Sequence, residues 1–458
     1  MKMACAPTGR AAVLSVVGLL CISCQRAGTK THPGISDGGR LLVRTAAPSA
    51  VSLAPPTPSE LGSARQEGKP LSGRLLFSAD HDSACIARGT VVYQWGGGPP
   101  GYDPRPAISV DADVVSVSCT SDHSCLVTAK GELWCYGLNQ FGQLGFETTT
   151  RCGYEGVYPC AILPNRVPGL PPMSTVATSN GQTCGLTREG SVYCWGFQTV
   201  GWRGKDVAGT TMTLVPNLHN AKKLVVGHSF GCAIDGAGRV SCWGQNAYGE
   251  LGRGKTSDFE LEPKPIAGLR PVEDVSAGSG HVCVLSSGQV YCWGLNEDRQ
   301  VGPDGERCGP VICQPRPHSV SLSQGATASS ISLSSTGSCA LDRDGALYCW
   351  GQGRDETFGK RRAPCTLGRC AGPPQRVEGL PQLQAMTYGE THLCGLSTEG
   401  TFLCWGALEN IKFSSAKSVQ SKPRTPECAS CVGPIFTADP DVLLKPSVPQ
   451  LTPSSSTP

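Results

Sequence analysis

Cysteine is the residue type most able to do chemistry in this sequence, which carries 25 copies in 458 residues. A thiol can serve as a redox centre, a metal ligand or half of a disulfide. So many thiols are unusual in a reducing cytosol, so the composition favours an oxidising compartment. No cysteine pair has a histidine or a second C-x-x-C at zinc-like spacing. We therefore expect structural disulfides, with no metal and no cofactor.

Six cysteine pairs recur at a separation of nine or ten residues, each with a glycine near the midpoint. This spacing predicts a β-hairpin whose glycine supplies the positive φ that a short turn needs. Directly opposed residues in such a hairpin have Cα atoms about 4.5 Å apart, within reach of a disulfide. The predicted cross-hairpin bonds are Cys125–Cys135, Cys184–Cys194, Cys232–Cys242, Cys283–Cys292, Cys339–Cys349 and Cys394–Cys404.

Four further pairs lie closer together, each just before a proline-containing segment. The last of them could be a redox C-x-x-C, but it lacks the βαβ context of such motifs. Once Cys5 and Cys21 are assigned to a signal sequence and Cys24 to lipidation, as argued below, Cys85 and Cys119 are the two cysteines that remain. They are predicted to bond and to staple the first repeat unit to the second. We interpret the four close pairs as clips across long loops: Cys152–Cys160, Cys308–Cys313, Cys365–Cys370 and Cys428–Cys431.

Two other patterns could carry chemistry, and we assign structural roles to both. The segment GHSFG at 227–231 reads as G-x-S-x-G, but a hydrolase elbow is followed by a helix, whereas a predicted hairpin follows here. Histidine recurs just before the hairpin cysteine, and one copy per blade would hold the rings too far apart for a shared metal. We expect no catalytic residue, and we expect hydrogen-bonding roles for His81, His123, His281 and His392.

The hairpins belong to an internal repeat, which decides the fold class. Seven units, each ending in an aromatic residue and a glycine, span 83–96, 123–137, 182–196, 230–244, 281–294, 337–351 and 392–406. Their spacing of 41 to 59 residues suits propeller blades of about four strands. We predict an all-β, seven-bladed β-propeller with disulfide-stapled hairpins, in which the repeated tryptophans pack between blades.

The segments that follow the hairpins resemble the regulator of chromosome condensation repeat. NQFGQLG at 139–145 matches the end of that repeat fully, NAYGELG at 246–252 matches closely, and NEDRQVG at 296–302 is degenerate. The resemblance covers residues 71–444 and implies a seven-bladed propeller that acts by binding proteins. That family includes a nuclear guanine-nucleotide exchange factor and a secreted bacterial β-lactamase inhibitor, and the cysteines here fit an exported version.

The N-terminal segment predicts export. Positive charge at Lys2 and Arg10 precedes a short apolar run that ends in LLCISC, which is typical of a secretory signal. Because the last cysteine of this run follows a small residue, we expect residues 1–23 to be a signal peptide and Cys24 to carry a lipid. The anchored protein would lie at an outer membrane, on its periplasmic or surface side. An ordinary cleaved signal, with secretion of the protein, is the alternative.

Composition divides the rest of the chain. Residues 24–70 form the lipidated N-terminus and a linker too poor in large apolar residues to fold, residues 71–444 hold the propeller, and residues 445–458 form a disordered tail. The net charge of +3 gives no argument for binding nucleic acid. Because a propeller must pair its last edge strands, we expect residues 433–444 to complete the blade that contains the first unit.

Alternating strand directions place the long loops and the G-x-x-H corners on one face, opposite the hairpin turns. Clipping a loop reduces the entropy lost on binding. We therefore expect a monomeric, membrane-tethered propeller that binds a protein partner, as a scaffold or inhibitor, through the long-loop face. Regulation like that of the exchange factor, by resemblance, and an envelope enzyme with an axial active site are the alternatives. Aromatic and arginine side chains dominate binding hot spots, so the expected contact residues are Phe141, Tyr154, Tyr158, Trp202, Arg203, Tyr248, Phe358, Arg361, Arg362 and Arg369.

Overall fold

The computed structural model describes residues 73–80, 83–96, 108–153, 156–197, 209–352, 365–366, 369–370, 374–406 and 435–438. These residues lie within one compact unit, Glu67–Pro458. They are almost entirely strand and turn, with a short 3-10 turn at Ser323–Gly325. No helix among them is long and apolar enough to cross a membrane.

Seven antiparallel sheets follow one another along the chain, and each forms one blade. Blade 1 contains β1 (Leu76–Asp80), β2 (Ser83–Arg88), β3 (Val91–Trp95) and β4 (Ile108–Ser109). Blade 2 contains β5 (Val114–Cys119), β6 (His123–Thr128), β7 (Leu133–Leu138), β8 (Arg151–Cys152) and β9 (Tyr158–Arg166). Blade 3 contains β10 (Met173–Ser179), β11 (Gln182–Thr187), β12 (Val192–Gly196) and β13 (Thr213–Leu214). Blade 4 contains β14 (Ala221–Val226), β15 (Phe230–Asp235), β16 (Val240–Asn246) and β17 (Ser257–Pro265).

The last three blades follow the same order. Blade 5 contains β18 (Asp274–Ala277), β19 (His281–Ser286), β20 (Gln289–Leu295), β21 (Glu306–Cys308) and β22 (Val311–Val320). Blade 6 contains β23 (Ala328–Leu333), β24 (Gly337–Asp342), β25 (Leu347–Gly351), the small hairpin β26 (Cys365–Thr366) and β27 (Arg369–Cys370), and β28 (Gln375–Arg376). Blade 7 contains β29 (Leu383–Tyr388), β30 (His392–Ser397), β31 (Phe402–Gly406) and β32 (Ile435–Ala438).

The first strands of the blades form the inner wall of the ring. Each of them contacts the first strand of the next blade, and the circuit closes from β29 back to β1. The second and third strands of each blade form the central hairpin, and the last strand lies at the outside. The predicted fold class, an all-β seven-bladed propeller with disulfide-stapled hairpins, is therefore confirmed.

The hairpin register is set by cysteine spacing and turn glycines together. In six blades the two hairpin cysteines are directly opposed, bonded, and separated by Cα–Cα distances of 4.1 to 4.2 Å. In blade 5 the cysteines are one residue closer, and the turn shrinks to Ser287-Gly288, between the paired residues Ser286 and Gln289. Both turn residues have positive φ, 53° and 78°, as a two-residue hairpin loop requires.

The repeated tryptophans fill the spaces between blades, as the sequence predicts. Trp243 of blade 4 packs against the blade 3 hairpin around Leu186, and Trp293 of blade 5 packs against the blade 4 hairpin around Ile234. Six hairpin tryptophans have no exposed surface. Because each ring covers the hairpin of the preceding blade, the hydrophobic core is one belt around the ring rather than a single centre.

Ring closure differs from the sequence prediction. We expected residues 433–444 to complete the blade containing the first unit, but β32 pairs with β31, with Leu403 opposite Thr437, and completes blade 7. Blade 1 has its own outer strand, β4, which pairs with β3. The reason is that each proline-containing segment folds back on the hairpin that precedes it rather than on the one that follows.

Side-chain packing, rather than a strand from the C-terminal segment, joins blade 7 to blade 1. Trp95 of blade 1 packs on Phe402 of blade 7, with ring centroids 5.9 Å apart, and Phe77 approaches the same ring at 5.6 Å. Trp95 thus stands in the same relation to blade 7 as each later tryptophan does to its predecessor. The contact between blades 7 and 1 is built like the others.

Candidate functional site

One face of the propeller collects the connections that vary most between blades. Because strands alternate in direction within each antiparallel sheet, the corner between strands one and two lies on the same face as the long loop after strand three. We call this the corner face. The hairpin turns, which contain Lys130 and Arg188, lie on the opposite face, and we call that the turn face.

An axial cavity of about 100 Å³ lies at the corner-face ends of the inner strands. Its walls come from six consecutive blades, and hydroxyl groups, one amide and one carboxylate supply its side-chain polar atoms. The residues that matter for its chemistry are Ser78, Asp80, Ser118, Thr178, Ser279 and Ser335. The lining contains no lysine and no arginine.

A ladder of hydroxyl groups binds the inner strands to each other around this cavity. At the inner-strand position opposite the hairpin cysteine, a serine or threonine accepts a hydrogen bond from a backbone N–H of the next blade. Five of the seven contacts between blades have this bond. They run from Cys119 N to Ser78 Oγ (3.4 Å), Thr178 N to Ser118 Oγ (3.0 Å), Leu333 N to Ser276 Oγ (3.1 Å), Tyr388 N to Ser332 Oγ (3.0 Å) and Ala79 N to Thr387 Oγ1 (3.0 Å). The two other positions carry Ala177 and Val225, which have no hydroxyl.

The segments after three of the hairpins fold into identical connectors between blades. In each one an asparagine side chain accepts the backbone N–H five residues on: Asn139 from Leu144 (3.0 Å), Asn246 from Leu251 (3.1 Å) and Asn296 from Val301 (3.0 Å). The connector then presents a carbonyl to the next blade's tryptophan: Trp195 Nε1 donates to Gln143 O, Trp293 Nε1 to Glu250 O and Trp350 Nε1 to Gln300 O. The segment NEDRQVG, degenerate in sequence, keeps the full geometry.

Two of the recurring histidines make hydrogen bonds between blades, as predicted. His123 Nε2 lies 2.7 Å from Thr183 Oγ1, whose hydrogen is donated to Gln143 O. The threonine oxygen must therefore accept, so the ring carries its proton on Nε2. His281 and Ser338 repeat this arrangement at 3.0 Å. Burial lowers the pKa of both histidines to about 3, which keeps the rings neutral.

The remaining histidines and the G-x-S-x-G segment have the following places. His392 is fully buried, and His81 lies outside the described residues. Ser229 is 6% exposed, has a φ of 64° and precedes strand β15 rather than a helix, so it stands in a blade corner. In the part of the chain that the structure describes, no three His, Cys, Asp or Glu side chains are grouped to hold a metal ion.

The predicted clips fold as small hairpins on the corner face. Cys152 and Cys160 are bonded where β8 pairs with β9, and Cys308 and Cys313 are bonded where β21 pairs with β22. Cys365 is opposite Cys370 in the β26–β27 hairpin, whose side chains are not described. Cys428 and Cys431 lie outside the described residues. The structure also joins Cys85 of blade 1 to Cys119 of blade 2.

The side chains of three predicted contact residues are described. Tyr158 is 44% exposed at the end of the blade 2 clip. Phe141 and Tyr248 are half-buried: Phe141 packs on Phe197, with centroids 4.7 Å apart, and a Cβ on Gly280 would lie 3.4 Å from Tyr248. These two rings therefore cover the corners of neighbouring blades. The side chain of Arg369 is not described, and Tyr154, Trp202, Arg203, Phe358, Arg361 and Arg362 lie outside the described residues.

Sequence reasoning missed an exposed apolar surface on consecutive blades. Of eight large hydrophobic residues that are exposed in the described part of the chain, seven lie on or beside the outer strands of blades 2 to 4. Alternation of apolar residues in outer-strand segments such as SDFELE gave a signal, but it reads equally well as a half-buried strand. The seven are Val157, Tyr158, Ile162, Leu163, Leu214, Phe259 and Leu261.

Sequence reasoning also missed Glu250. It is 1% exposed and occupies the connector position that holds Gln143 and Gln300 elsewhere. Its Oε2 accepts the backbone N–H of Tyr248 at 2.8 Å. Burial raises the pKa of this carboxyl to about 7, and the Tyr248 hydrogen bond opposes the shift.

These features define a ring of seven similar blades joined by repeated connectors, a repeat β-propeller. Models of the regulator of chromosome condensation (RCC1) repeat match residues 237–285, and, in a second form, residues 114–143, 272–300 and 328–356. The chain is therefore a seven-bladed β-propeller, and the RCC1 repeat is matched in its blades 2, 4, 5 and 6.

Known relatives share the repeat over part of their length. The Ultraviolet-B receptor UVR8 of Arabidopsis thaliana is 26% identical over 284 residues, which cover 56% of this chain and 60% of that protein. Protein RCC2 of Homo sapiens is 27% identical over 328 residues, covering 62% of this chain and 60% of that protein. The chain thus spans about three fifths of these curated relatives.

Solved structures show the same fold at lower identity. Prp20p from Saccharomyces cerevisiae is 20% identical with a TM-score of 0.59, covering 81% of this chain and 94% of that one. The crystal structure of Kap60 bound to yeast RCC1 (Prp20) gives the same identity and TM-score, covering 87% of this chain and 98% of that one. Human WBSCR16 is 18% identical with a TM-score of 0.56, covering 70% of this chain and 80% of that one.

Proposed function

We propose that this chain is an exported, membrane-tethered propeller that binds a protein partner through its corner face. RCC1-like propellers commonly bind proteins: yeast RCC1 is bound by Kap60, and Prp20p has been described with its binding to Gsp1p and histones. The signal-like N-terminus ending in Cys24 supports export and a lipid tether. The identity of the partner is left to experiment, and the exchange-factor alternative rests on the shared repeat alone.

The blade 2 clip is the observation that carries this proposal. Val157 and Tyr158, 54% and 44% exposed, stand where the clip hairpin turns back into strand β9. The Cys152–Cys160 bond and a hydrogen bond from Arg151 Nη1 to Val157 O (2.9 Å) hold the turn. Because these bonds restrain the backbone at Val157 and Tyr158 before binding, less entropy is lost on contact with a partner, which supports a protein-binding role for this clip.

The test compares the two faces. The mature chain is immobilised, proteins from an envelope extract are captured, and the affinity of the captured partner is measured for two variants. Tyr158→Ala should weaken binding at least tenfold, as loss of a tyrosine hot spot does. Lys130→Ala on the turn face, which removes an exposed 2.7 Å ion pair with Asp111, should have no effect. The opposite result would place the partner on the turn face and refute the proposal.

The tether is tested separately by fractionation. Wild-type protein should sediment with membranes, and Cys24→Ser should move it to the soluble fraction, because the lipid supplies the membrane affinity. Wild-type protein in the soluble fraction would show that the signal is simply cleaved.

A further inference from the structure

We propose that a surface cavity on the turn face binds a phenol ring, presented as a tyrosine side chain by a second protein. The cavity has a volume of about 160 Å³ and lies between the link that joins blades 3 and 4, the blade 4 hairpin and the outer strand of blade 4. Because it is on the face opposite the proposed partner contact, this inference goes beyond the proposed function and is tested separately.

Backbone hydrogen bonds hold the link of blades 3 and 4 among the hairpin turns. Ala221 N donates to Gly190 O in the blade 3 turn at 3.0 Å, and Gly236 N in the blade 4 turn donates to Asn220 O at 3.1 Å. The link and the blade 4 turn therefore form a fixed wall on the turn face. A site that is formed before binding loses little entropy when it takes a ligand.

The size and the apolar part of the lining suit one aromatic ring. Leu218, Ala221 and Ala233 are buried in the wall, and Pro263 and Pro265 of the outer strand complete its apolar side. A cavity of about 150 Å³ in a protein core holds a benzene ring. The volume of about 160 Å³ is therefore enough for a single six-membered ring.

An arginine with a fixed orientation favours an aromatic ring over an aliphatic side chain. Nε and Nη2 of Arg239 both lie 2.7 Å from Asp235 Oδ2. Asp235 Oδ1 in turn accepts the backbone N–H groups of Ala237 and Arg239, each at 2.9 Å. Because the turn backbone holds Asp235, the carboxylate fixes the guanidinium plane at the cavity wall. A guanidinium plane stacks on aromatic faces and attracts their π-electrons.

Charge and hydrogen bonding favour a neutral phenol. Asp235 and Arg239 form an ion pair, so together they give the wall no net charge that would select an anion or a cation. Ser241 is half-buried in the lining, and its hydroxyl can both donate and accept a hydrogen bond. The O–H of a tyrosine can pair with it, whereas a phenylalanine would leave it unpaired.

The arginine distinguishes blade 4 from the other blades. In the other hairpins the position that closes the turn holds no cation, so the site belongs to one blade rather than to the repeat. The residues at that position are Val91, Glu132, Ser191, Gln289, Ala346 and Thr401.

The first experiment measures binding of blocked tripeptides to the oxidised mature chain by calorimetry. The peptide acetyl-Gly-Tyr-Gly-amide should bind with a saturable isotherm, severalfold more tightly than its phenylalanine version and at least tenfold more tightly than its leucine version. Equal affinity of the tyrosine and leucine peptides would overturn the assignment to an aromatic ring. Free 4-methylphenol should also bind; if it binds and the tyrosine peptide does not, the cavity takes a small phenol and the assignment to a protein side chain is wrong.

Matched arginine variants locate the site. Arg239→Gln should weaken the tyrosine peptide two- to fivefold, and Arg239→Lys should weaken it as much, because an ammonium keeps the charge but lacks the plane. Arg188→Gln is the control: Arg188 is in the blade 3 turn on the same face, where its Nη2 donates to Ala129 O at 2.6 Å, but it does not line the cavity. Unchanged affinity in Arg239→Gln, full affinity in Arg239→Lys, or an equal loss in Arg188→Gln would refute the stacking contact.

A third variant tests the phenol hydroxyl. Ser241→Ala should remove the preference for the tyrosine peptide over the phenylalanine peptide and leave the affinity of the phenylalanine peptide unchanged. A general disturbance of the fold would weaken both peptides alike, and that outcome would contradict the contact with the hydroxyl.

The two proposals can fail independently. If the tyrosine peptide binds as expected but Tyr158→Ala does not weaken partner capture, the proposed function fails and the turn-face site stands. If Tyr158→Ala weakens capture but the tyrosine peptide binds no better than the leucine peptide, the proposed function stands and the turn-face site is wrong.

Discussion

Relative to wild type, the Glu250→Gln variant should gain stability as the pH rises from acid to neutral. The carboxyl is buried in the contact between blades 4 and 5, where it accepts the Tyr248 N–H. At the equivalent contacts between blades 2 and 3 and between blades 5 and 6, a histidine and a hydroxyl lie beside the connector. Here Phe230 and Val282 take those two places, so the surroundings of Glu250 are less polar.

The sign of the effect follows from the raised pKa. Burial moves the pKa of Glu250 from 4.5 to about 7. Between these values the folded chain keeps a proton that the unfolded chain has lost, so the free energy of unfolding falls as pH rises and levels off above 7. At about 1.4 kcal/mol for each pKa unit, the loss is about 3 kcal/mol in total. A glutamine in this place would not titrate, although its Nε2 would lack an acceptor, like those of Gln143 and Gln300, at a pH-independent cost of about 1 kcal/mol.

The assay is thermal unfolding of the oxidised chain, followed by circular dichroism, at pH 4.5, 6, 7 and 8. The difference in Tm between Glu250→Gln and wild type should grow by roughly 4 °C from the lowest to the highest pH, from the entropy of unfolding for a domain of this size. Glu262→Gln, on the same blade with an exposed side chain, should show no such trend. A constant difference between Glu250→Gln and wild type would show that Glu250 ionises freely in the folded chain and would refute the argument from burial.

Three further predictions concern contacts between blades. In wild type the buried His123 ring has a lowered pKa of about 3, so the folded chain loses stability as pH falls from 6.5 toward 3, because only the unfolded chain takes up a proton there. His123→Gln removes this loss, so the drop in Tm between pH 7 and pH 4 should be smaller in the variant than in wild type. Thr387→Val should lower the free energy of unfolding by about 1 kcal/mol because Ala79 N loses its acceptor, and Ala177→Ser should raise it because the new hydroxyl can accept an N–H from the inner strand of blade 4. Chemical denaturation measures both free energies, and a change in the same direction in both variants would contradict the hydroxyl ladder. Cys85→Ser with Cys119→Ser should cost about 4 kcal/mol, against about 3 kcal/mol for the Cys394–Cys404 pair, because the first bond closes a longer loop; melting of the two double variants compares them.

Local sequence patterns were enough to predict most of the fold. Cysteine spacing, a central glycine and a terminal aromatic residue define each hairpin by contacts within fifteen residues, so seven blades and their turns could be read directly. The outer strands were harder, because a proline-containing segment between two hairpins can pair with either neighbour. The sequence does not say which one, and the structure pairs residues 435–438 with the hairpin before them.

The candidate site could be predicted only in part, for a different physical reason. In the sequence Glu250 looks like an ordinary charged surface residue, and its burial appears only when the connector folds over Trp293 of the next blade. The axial cavity is made by residues about forty to sixty positions apart, each an ordinary serine or threonine in its own strand. These side chains come together at the axis only once the ring has closed, so no local sequence pattern predicts the cavity.

Every disulfide in the described chain joins two cysteines that are consecutive in the sequence. If each cysteine bonds to the next one as the chain is oxidised from its N-terminus onward, the native pairs form without exchange, because no other cysteine lies between the two partners of a bond. Blade 2 holds the one point of competition: Cys119 lies closer along the chain to Cys125 than to Cys85. We therefore expect mispairing during oxidation, and its correction by exchange, to arise first at the contact between blades 1 and 2.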